Sequence, residues 1–177
     1  MADSKDASQL AWYHPERRGI LPLDAFHIPK SLAKALAKNP FALTANTAFR
    51  DVITACADRE ETWINHEIID RYCELHEMGF AHSIESWKDG ALAGGLYGVA
   101  LGGAFFGESM FSRQANASKA ALVHLVSLLK ERHYTLLDTQ YVNDHLLQFG
   151  VIEIPREEYM QRLRHALTLT PAATPFR

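Results

Sequence analysis

The chain has 177 residues, of which 47% are hydrophobic and 22% charged, with a formal net charge of −3. This length fits one domain with a substantial core, and the composition excludes an intrinsically disordered chain, a collagen-like repeat and a coiled coil. No apolar run reaches the roughly 18 residues of a membrane span, and two cysteines are too few for a disulfide framework, so we expect a soluble cytoplasmic protein without a metal site.

The first forty residues predict a turn, a short strand and a helix. Residues 14–19 are typical of a turn, and Pro22 indicates that 20–23 form an edge or irregular strand. A helix is predicted over 29–39, because Pro favours the first turn of a helix and an Asn-Pro pair stops it.

This helix carries a basic stripe. Lys30, Lys34 and Lys38 recur every four residues and therefore lie on one face. The stripe is either an ordinary solvated face or a ridge that meets phosphates. The charge balance of the chain, +3 over residues 1–50 and −7 over 51–90, suits partners of opposite charge, but chance clustering explains it equally well.

Two further helices are predicted over 47–57 and 65–79. Apolar residues recur at helical spacing in both, which places Cys56 in the core rather than in chemistry. Asn65 is a typical helix N-cap, and Gly79 a typical C-terminal stop.

Strands are predicted next, over 80–87, 91–101 and 104–111. A Lys-Asp-Gly turn and a Gly-Gly break join them, so they form an antiparallel meander. Glycine inside a strand often marks a bulge or the close approach of a ligand. Four glycines lie inside the last two of these strands, more than packing alone explains: Gly94, Gly95, Gly98 and Gly107.

The C-terminal part alternates helices and strands and ends in a loose tail. The predicted elements are a helix to about 133, a strand over 134–142, a helix over 144–149, a strand over 151–154 and a helix over 156–167. Three antiparallel strands followed by helix–strand units predict a mixed α/β sheet, compatible with an acyl-CoA N-acyltransferase (GNAT-like) core.

The junction before the long helix argues against acetyl-CoA as a substrate. A GNAT-like acetyltransferase needs a Gly-rich loop there, whose backbone N–H groups bind the pyrophosphate of CoA. Here residues 112–119 read SRQANASK and contain no glycine. A CoA-dependent N-acetyltransferase is therefore the less favoured alternative.

Three polar clusters are candidates for a site. Glu108 lies among glycine and apolar residues, where an unpaired carboxylate is costly. Asp138 and Gln140 are two apart in a predicted strand, so we expect them on the same side, where they could hold an amine. The third cluster is 58–65, in which Trp63 follows an acidic run. Each acid alone is more readily explained as a satisfied structural group, but with the glycines they indicate a site.

Seven segments add a more specific pattern, above all the combination of HSIE with GGLYGV and GESMFS. The segments are WYHPERRGILP at 12–22, FHI at 26–28, TWIN at 62–65, ELHEMGFAHSIE at 74–85, GGLYGVALGGAFFGESMFS at 94–112, NASK at 116–119 and LDTQYVNDH at 137–145. In this order, and over nearly all of 12–160, the sequence resembles the bacterial leucyl/phenylalanyl-tRNA–protein transferases.

The resemblance implies a GNAT-like fold that uses aminoacyl-tRNA in place of acyl-CoA and needs no cofactor. It implies that Leu or Phe, and less efficiently Met, passes from its tRNA to the N-terminal Arg or Lys of a protein. The new peptide bond marks that protein for N-degron proteolysis. The implied partners are aminoacyl-tRNA and proteins with N-terminal Arg or Lys, and we expect a monomer that contacts no membrane.

The resemblance also implies roles for individual residues. Asp138 and Gln140 match a catalytic pair, in which Gln140 contacts the incoming α-amine and Asp138 orients and polarises Gln140. Glu108 would hold the α-ammonium group or the terminal ribose of the donor. Because an aminoacyl ester is already activated, positioning and charge stabilisation suffice for catalysis.

The substrate-binding residues follow from the same resemblance. Leu96, Phe105 and Leu122 match residues that line the pocket for the Leu or Phe side chain. Trp63 would stack on the terminal adenosine, and Asn143 belongs to the same substrate-binding set. The candidates for contacts with tRNA phosphates are Arg17, Arg18, Lys30, Lys34 and Lys38.

Members of this family usually have a longer N-terminal segment, ending in a Gly-x-Phe-Pro-Met/Trp element. We therefore expect residues 1–40 to be the remnant of a truncated small N-terminal domain, 41–168 the catalytic domain and 169–177 a loose tail. The shortness is either natural or the result of a start codon assigned too late. A further alternative is an inactive form that only binds tRNA or N-terminal Arg and Lys.

Overall fold

The computed structural model describes residues 15–171, which form a seven-stranded mixed sheet with helices on both faces. Residues 1–14 of the predicted N-terminal remnant and 172–177 of the predicted tail lie outside this range. In chain order the elements are β1 (Arg17–Ile20), α1 (Lys30–Leu36), β2 (Ala42–Ala45), α2 (Phe49–Ala57), α3 (His66–Glu77), β3 (Ala81–Lys88), β4 (Ala91–Leu101), β5 (Ala104–Ser112), α4 (Ala117–Glu131), β6 (Leu136–Gln140), α5 (Asp144–Leu147), β7 (Ile152–Pro155) and α6 (Arg156–Leu167).

The sheet has the order β2-β3-β4-β5-β6-β1-β7, and β5 with β6 is its parallel pair. The predicted meander β3-β4-β5 is confirmed. Its first turn has Asp89 at φ +52° and Gly90 at φ +76°, the left-handed conformations that a tight hairpin turn favours. The mixed α/β class is likewise confirmed.

Residues at the ends of α3 determine where this helix begins and ends, and the apolar residues of α2 determine which of its faces is buried. The Asn65 side chain accepts a hydrogen bond from the backbone N–H of Ile68 at 2.9 Å, and Gly79 leaves α3 at φ +84°. Cys56, a residue of α2, is fully buried in the core, as predicted. Helix α6 has the predicted bounds.

The two faces of the sheet carry different helices. One face packs against α4, α1 and α5, and its core includes Leu96, Phe105 and Leu137. The opposite face is divided, because α2 and α3 cover β3, β4 and the end of β5, whereas α6 covers β6, β1, β7 and the start of β5. The division between α2–α3 and α6 therefore falls along β5.

Strands β1 and β2 were not predicted correctly. Residues 17–20, expected mostly as a turn, form a strand that pairs with both β6 and β7, so it is not an edge strand. Strand β2 was not predicted at all. Neither segment shows a clear alternation, and each is held by pairing with a distant part of the chain.

Packing accounts for three of the four strand glycines. A Cβ atom on Gly94 would lie 2.6 Å from the Cβ of Ala117 in α4, and one on Gly95 would lie 2.7 Å from the carbonyl oxygen of Ile84. A Cβ on Gly98 would collide with the backbone and ring of the facing strand β5. The expectation that packing alone does not explain these glycines was therefore wrong for Gly94 and Gly95, whereas Gly98 also lies at a β-bulge, as expected for a glycine inside a strand.

Two predictions about architecture stay predictions, namely the GNAT-like fold and the division at residues 40 and 168. Strand β1, from the first of those segments, lies inside the main sheet. Within residues 15–171, no helix is both long enough and apolar enough to cross a membrane.

Candidate active site

The site lies where β5 and β6 part. The two strands pair in parallel from Ala104–Leu136 to Phe106–Asp138, and beyond that point the edge of β5 is no longer paired with β6. A gap between parallel strands exposes backbone and side chains of both to one cavity. Polar residues at this gap are therefore placed to meet a substrate.

Glu108 is the extra residue of a β-bulge at this gap. Tyr97 of β4 pairs with Ser109, whereas the next residue, Gly98, pairs with Gly107, so Glu108 has no partner on β4. A bulge redirects the side chain of its extra residue. Gly98 and Gly107 pair with each other next to Glu108, so these two strand glycines belong to the bulge that redirects the Glu108 side chain.

The Glu108 carboxylate is held between two side chains. Gln140 Nε2 donates to Glu108 Oε2 at 3.0 Å and to the Gly107 carbonyl oxygen at 3.3 Å, so it bridges the gap between β6 and β5. Burial raises the pKa of Glu108, as does the charge of Asp138, while hydrogen bonds from Gln140 and Tyr72 oppose this rise. Burial beside Glu108 also raises the pKa of the Tyr72 hydroxyl.

Asp138 is fully buried and accepts hydrogen bonds from three residues. Arg18 donates through Nε at 3.0 Å and Nη2 at 2.9 Å, and the Tyr159 hydroxyl donates at 2.6 Å. The backbone N–H of Gln140 donates to Asp138 Oδ1 at 2.7 Å. Desolvation lowers the pKa of Arg18, but the bonded Asp138 carboxylate outweighs it, and the net shift is upward.

The prediction that Asp138 and Gln140 lie on the same side of a strand fails at Gln140. Gln140 has φ +66°, so the alternation of a strand ends there. The two residues do meet, but through the main chain of Gln140, while its side chain turns toward Glu108. The expected polarisation of the Gln140 side chain by Asp138 is not what these hydrogen bonds provide.

A cavity of about 830 Å³ surrounds the gap. Its part on the α4 face, here called the apolar lobe, is lined by Leu96, Met110, Leu122, Leu125, Leu137 and Leu146. Its part on the α2 face, the polar lobe, is lined by Asp58, Arg59, Tyr97 and Ser109. Glu108 also lines this cavity, whereas its hydrogen-bond partner Gln140 does not. An apolar side chain and a polar group can thus be bound in one cavity that contains a buried carboxylate.

The predicted pocket residues divide between the cavity wall and the core behind it. Leu96 and Leu122 line the apolar lobe, but Phe105 is 0% exposed and packs behind them. Trp63, in the loop between α2 and α3, is partly buried against the core beneath α2 and does not line the cavity. Asn143 lines it, and its side-chain oxygen caps α5 by accepting from Leu146 N at 2.9 Å.

The five residues that were predicted to contact tRNA lie in different environments. Lys30 and Lys34 lie exposed on α1, and Lys38 is exposed in the turn after it. Arg17 makes an exposed ion pair of 2.5 Å with Glu153, whereas the guanidinium of Arg18 is committed to Asp138. Their contact with tRNA stays a prediction.

Comparison with known proteins identifies the family. The family model described as leucyl/phenylalanyl-tRNA protein transferase matches residues 20–164. This chain belongs to that family. A leucyl/phenylalanyl-tRNA–protein transferase of Paramagnetospirillum magneticum is 56% identical over 174 residues, covering 96% of this chain and 83% of the relative. One of a Ruegeria species is 56% identical over 167 residues, covering 94% and 80%.

Among solved structures, that of L-PGS from Bacillus licheniformis aligns with a TM-score of 0.49 at 14% identity, covering 74% of this chain and 49% of that one. This likeness is too weak to assign the fold of the transferase family. The recognition of the family from sequence motifs is confirmed by the relatives alone.

Some residues of this transferase site were not predicted from the sequence. Tyr72 and Tyr97 reach the gap from α3 and β4, Arg59 donates to the carbonyl oxygen of Met110 on β5, and Tyr159 comes from α6. Nothing in their spacing connects them with Glu108 or Asp138. Within residues 15–171, no three metal-ligating side chains come together as a metal site.

Proposed function

We propose that this enzyme moves Leu or Phe, and less efficiently Met, from its tRNA to the N-terminal Arg or Lys of a protein. The observation that carries the proposal is that one cavity combines the apolar lobe with the carboxylate of Glu108, to which Gln140 is hydrogen-bonded. Membership of the transferase family supports the same reaction. We infer that the enzyme works as a GNAT-like monomer in the cytoplasm, and that its product is a substrate for N-degron proteolysis.

Two groups of the donor's aminoacyl moiety, its side chain and its α-ammonium group, are bound in the cavity. The Leu or Phe side chain enters the apolar lobe, where Leu96 and Leu122 exclude water and select by shape. Its α-ammonium group then lies beside the Glu108 carboxylate, which lines the same cavity. Burial makes this charge pair stronger than it would be in water.

The acceptor amine attacks the ester carbonyl carbon from the side of Gln140. A C–N bond forms, the C–O bond to the ribose breaks, and the amine proton leaves as the ribose oxygen takes one up. Gln140 donates with Nε2 to Glu108, which leaves its Oε1 to accept from the incoming amine. Because an α-amine has a pKa of about 7.7 to 8.0, part of it is already unprotonated at neutral pH, and positioning does most of the work.

The N-terminus of α4 supports this donor over acetyl-CoA. Ala117 N donates to the Gln114 carbonyl oxygen at 3.1 Å, and Ser118 N donates to Ser112 Oγ at 3.3 Å. Ala117 itself is fully buried against Gly94. These backbone N–H groups are bonded within the chain and are not open to a pyrophosphate.

Transfer of labelled Leu from Leu-tRNA to a peptide with N-terminal Arg tests the proposal. We expect turnover by the wild-type chain and a loss of about a hundredfold in kcat for Gln140→Ala, because the amine loses its positioning group. Gln161→Ala, an exposed glutamine of α6, is the matched control and should leave kcat unchanged.

Peptides that begin with Lys and with Gly test the acceptor, and acetyl-CoA replaces the donor in a parallel assay. Transfer to Arg and Lys but not to Gly, with no acetyl transfer, is expected. Binding of Leu-tRNA without any transfer, or acetylation from acetyl-CoA, would overturn the proposal.

A further inference from the structure

We propose that Arg18 and Tyr159 are positioning residues for the transfer reaction, which hold Asp138 so that its carboxylate fixes the main chain of Gln140. The inference rests on the proposed role of Gln140 in binding the acceptor amine. It assigns Asp138 a different task from polarising the Gln140 side chain, and it gives β1 and α6 a part in a site whose cavity they do not line.

The hydrogen bonds of Asp138 carry this assignment. Oδ1 accepts from Arg18 Nε at 3.0 Å and from the backbone N–H of Gln140 at 2.7 Å. Oδ2 accepts from Arg18 Nη2 at 2.9 Å and from the Tyr159 hydroxyl at 2.6 Å. Oδ2 also accepts from Arg18 Nε at 3.1 Å. With at least two donors on each oxygen, the carboxylate is saturated, so it can act on Gln140 only through the bond to its main chain.

That bond holds Gln140 in a conformation it would not adopt unaided. A φ of +66° is unfavourable for a residue with a Cβ atom, and it persists only where surrounding contacts impose it. In this conformation the chain turns away from β6, and Gln140 Nε2 reaches Glu108 and Gly107 on β5. An extended Gln140 would continue the strand, and its amide would leave the gap.

Arg18 and Tyr159 keep Asp138 in place from two other elements. Asp138 is 0% exposed, and a buried carboxylate needs a cation and further donors to stay charged. The guanidinium of Arg18 lies 5.6 Å from the centre of the Tyr159 ring, so the two donors also brace each other. The β1–β6 pairing sets Ile20 opposite Asp138 and Gly19 opposite Gln140, which brings Arg18 beside the carboxylate.

Neither residue lines the cavity, as far as residues 15–171 form its wall. A purely structural role would therefore predict that their variants lower the melting temperature but leave the kcat of the folded enzyme unchanged. A positioning role predicts a loss of kcat that depends on the presence of Gln140. The two roles are separable by a double-mutant cycle.

The experiment uses Tyr159→Phe, which removes one hydroxyl and keeps the ring that faces Arg18. Tyr134→Phe, which removes the hydroxyl of another buried tyrosine, located before the first residue of β6 and not at the end where the gap lies, is the matched control. Steady-state transfer of Leu from Leu-tRNA to an Arg peptide is measured well below each melting temperature. We expect kcat to fall about tenfold for Tyr159→Phe, with the KM for Leu-tRNA within about twofold and Tyr134→Phe unchanged.

The same substitution is then made in Gln140→Ala. If Tyr159 acts through Gln140, the double variant is no slower than Gln140→Ala alone. Arg18→Lys keeps the positive charge but loses the paired donors, and we expect it to behave as Tyr159→Phe does.

The possible failures are distinct. Absence of transfer by the wild-type chain would refute the proposed function itself, whereas an unchanged kcat in Gln140→Ala would refute the role of Gln140 on which this inference rests. A large effect of Gln140→Ala with equal kcat for Tyr159→Phe and Tyr134→Phe would refute only the positioning role. A tenfold loss that multiplies with that of Gln140→Ala would also refute it, because Tyr159 would then act independently of Gln140.

Discussion

At the scale of single residues, Glu108 is placed where its charge is disfavoured. Burial raises its pKa in the folded chain above that in the unfolded chain, so the native state binds the proton more tightly. The contribution of Glu108 to stability is then greatest at low pH and falls as the pH rises from the unfolded pKa through the folded one. The charge at neutral pH is thus a cost to stability that the proposed function requires.

We therefore predict that Glu108→Gln raises the melting temperature at pH 7 and lowers kcat/KM about a hundredfold, since a charged partner for the α-ammonium is lost. In the wild-type chain, kcat/KM should fall as the pH drops through the raised pKa of Glu108, and the variant should lack this acid limb. Thermal melts and pH profiles, with exposed Glu131→Gln as control, check both parts. A variant that is less stable and keeps the acid limb would contradict the prediction.

A second prediction at this scale concerns selection of the donor side chain. Leu122 lies in the wall of the apolar lobe at 3% exposure, so Leu122→Phe fills part of the lobe. We expect the kcat/KM ratio of Phe-tRNA to Leu-tRNA to fall roughly tenfold or more, because shape discrimination by one group reaches this size. Overpacking should cost about 1 to 3 kcal/mol in the free energy of unfolding.

Competition between the two charged tRNAs for one Arg peptide measures this ratio directly. Leu136→Phe is a suitable control, since Leu136 is equally buried but packs beneath α6 on the opposite face. An unchanged ratio in Leu122→Phe would place the donor side chain outside this lobe.

At the scale of elements, the residue that caps α5 also lines the cavity. Asn143 Oδ1 caps the helix, and the same residue lines the cavity together with Asp144 and Leu146. Its amide nitrogen makes no hydrogen bond to any residue in 15–171 and is the part available to a substrate. Capping and substrate binding therefore use different atoms of one side chain.

We predict that Asn143→Asp keeps the melting temperature but loses about tenfold in kcat/KM, because it retains the capping oxygen and loses the donor. Asn143→Ala should lose about 1 kcal/mol of stability as well. Asn65→Ala, which removes the cap of α3, controls for capping alone and should lower stability without a change in kcat/KM. Full activity of Asn143→Asp would leave Asn143 with a capping role only.

The elements that could be predicted from the sequence are those with local causes. The caps and periodicity of α3, the Asp-Gly turn between β3 and β4, and the stripe of α2 all lie within a few residues of the structure they specify. Strands β1 and β2 depend instead on pairing with β6, β7 and β3, far along the chain. A four-residue strand that is held by pairing with distant segments leaves little pattern in its own sequence.

The same distinction holds for the site. The strand glycines pointed to a bulge, and the bulge at Glu108 was found, because a bulge is a local feature of one strand pair. The network of Asp138 joins residues 18, 138 and 159, and no spacing along the chain relates them. Family resemblance named Asp138 and Gln140, but only the folded chain places the contact on the main chain of Gln140.

At the scale of the whole molecule, the remaining question is how a chain of net charge −3 binds a polyanion. The exposed cations Lys30, Lys34 and Lys38 lie on and after α1, which packs through Leu32 into the same core as the apolar lobe. A tRNA acceptor stem that enters the cavity from the α1 side would bring phosphates near these lysines. Helices α2 and α3, which carry acidic residues of the segment 51–90, pack on the opposite face of the sheet from α1.

We predict that Lys30→Gln, Lys34→Gln and Lys38→Gln together raise the KM for Leu-tRNA but leave kcat unchanged, because phosphate contacts position the donor without touching the ester. The dependence of log KM on log salt should flatten by roughly one unit for each phosphate that the variant no longer neutralises. The triple variant Lys130→Gln, Arg156→Gln and Arg164→Gln changes the net charge equally at exposed sites on α4 and α6, so it isolates the local effect from the overall field. Equal salt slopes in the two triple variants would mean that the stripe on α1 is an ordinary solvated helix face.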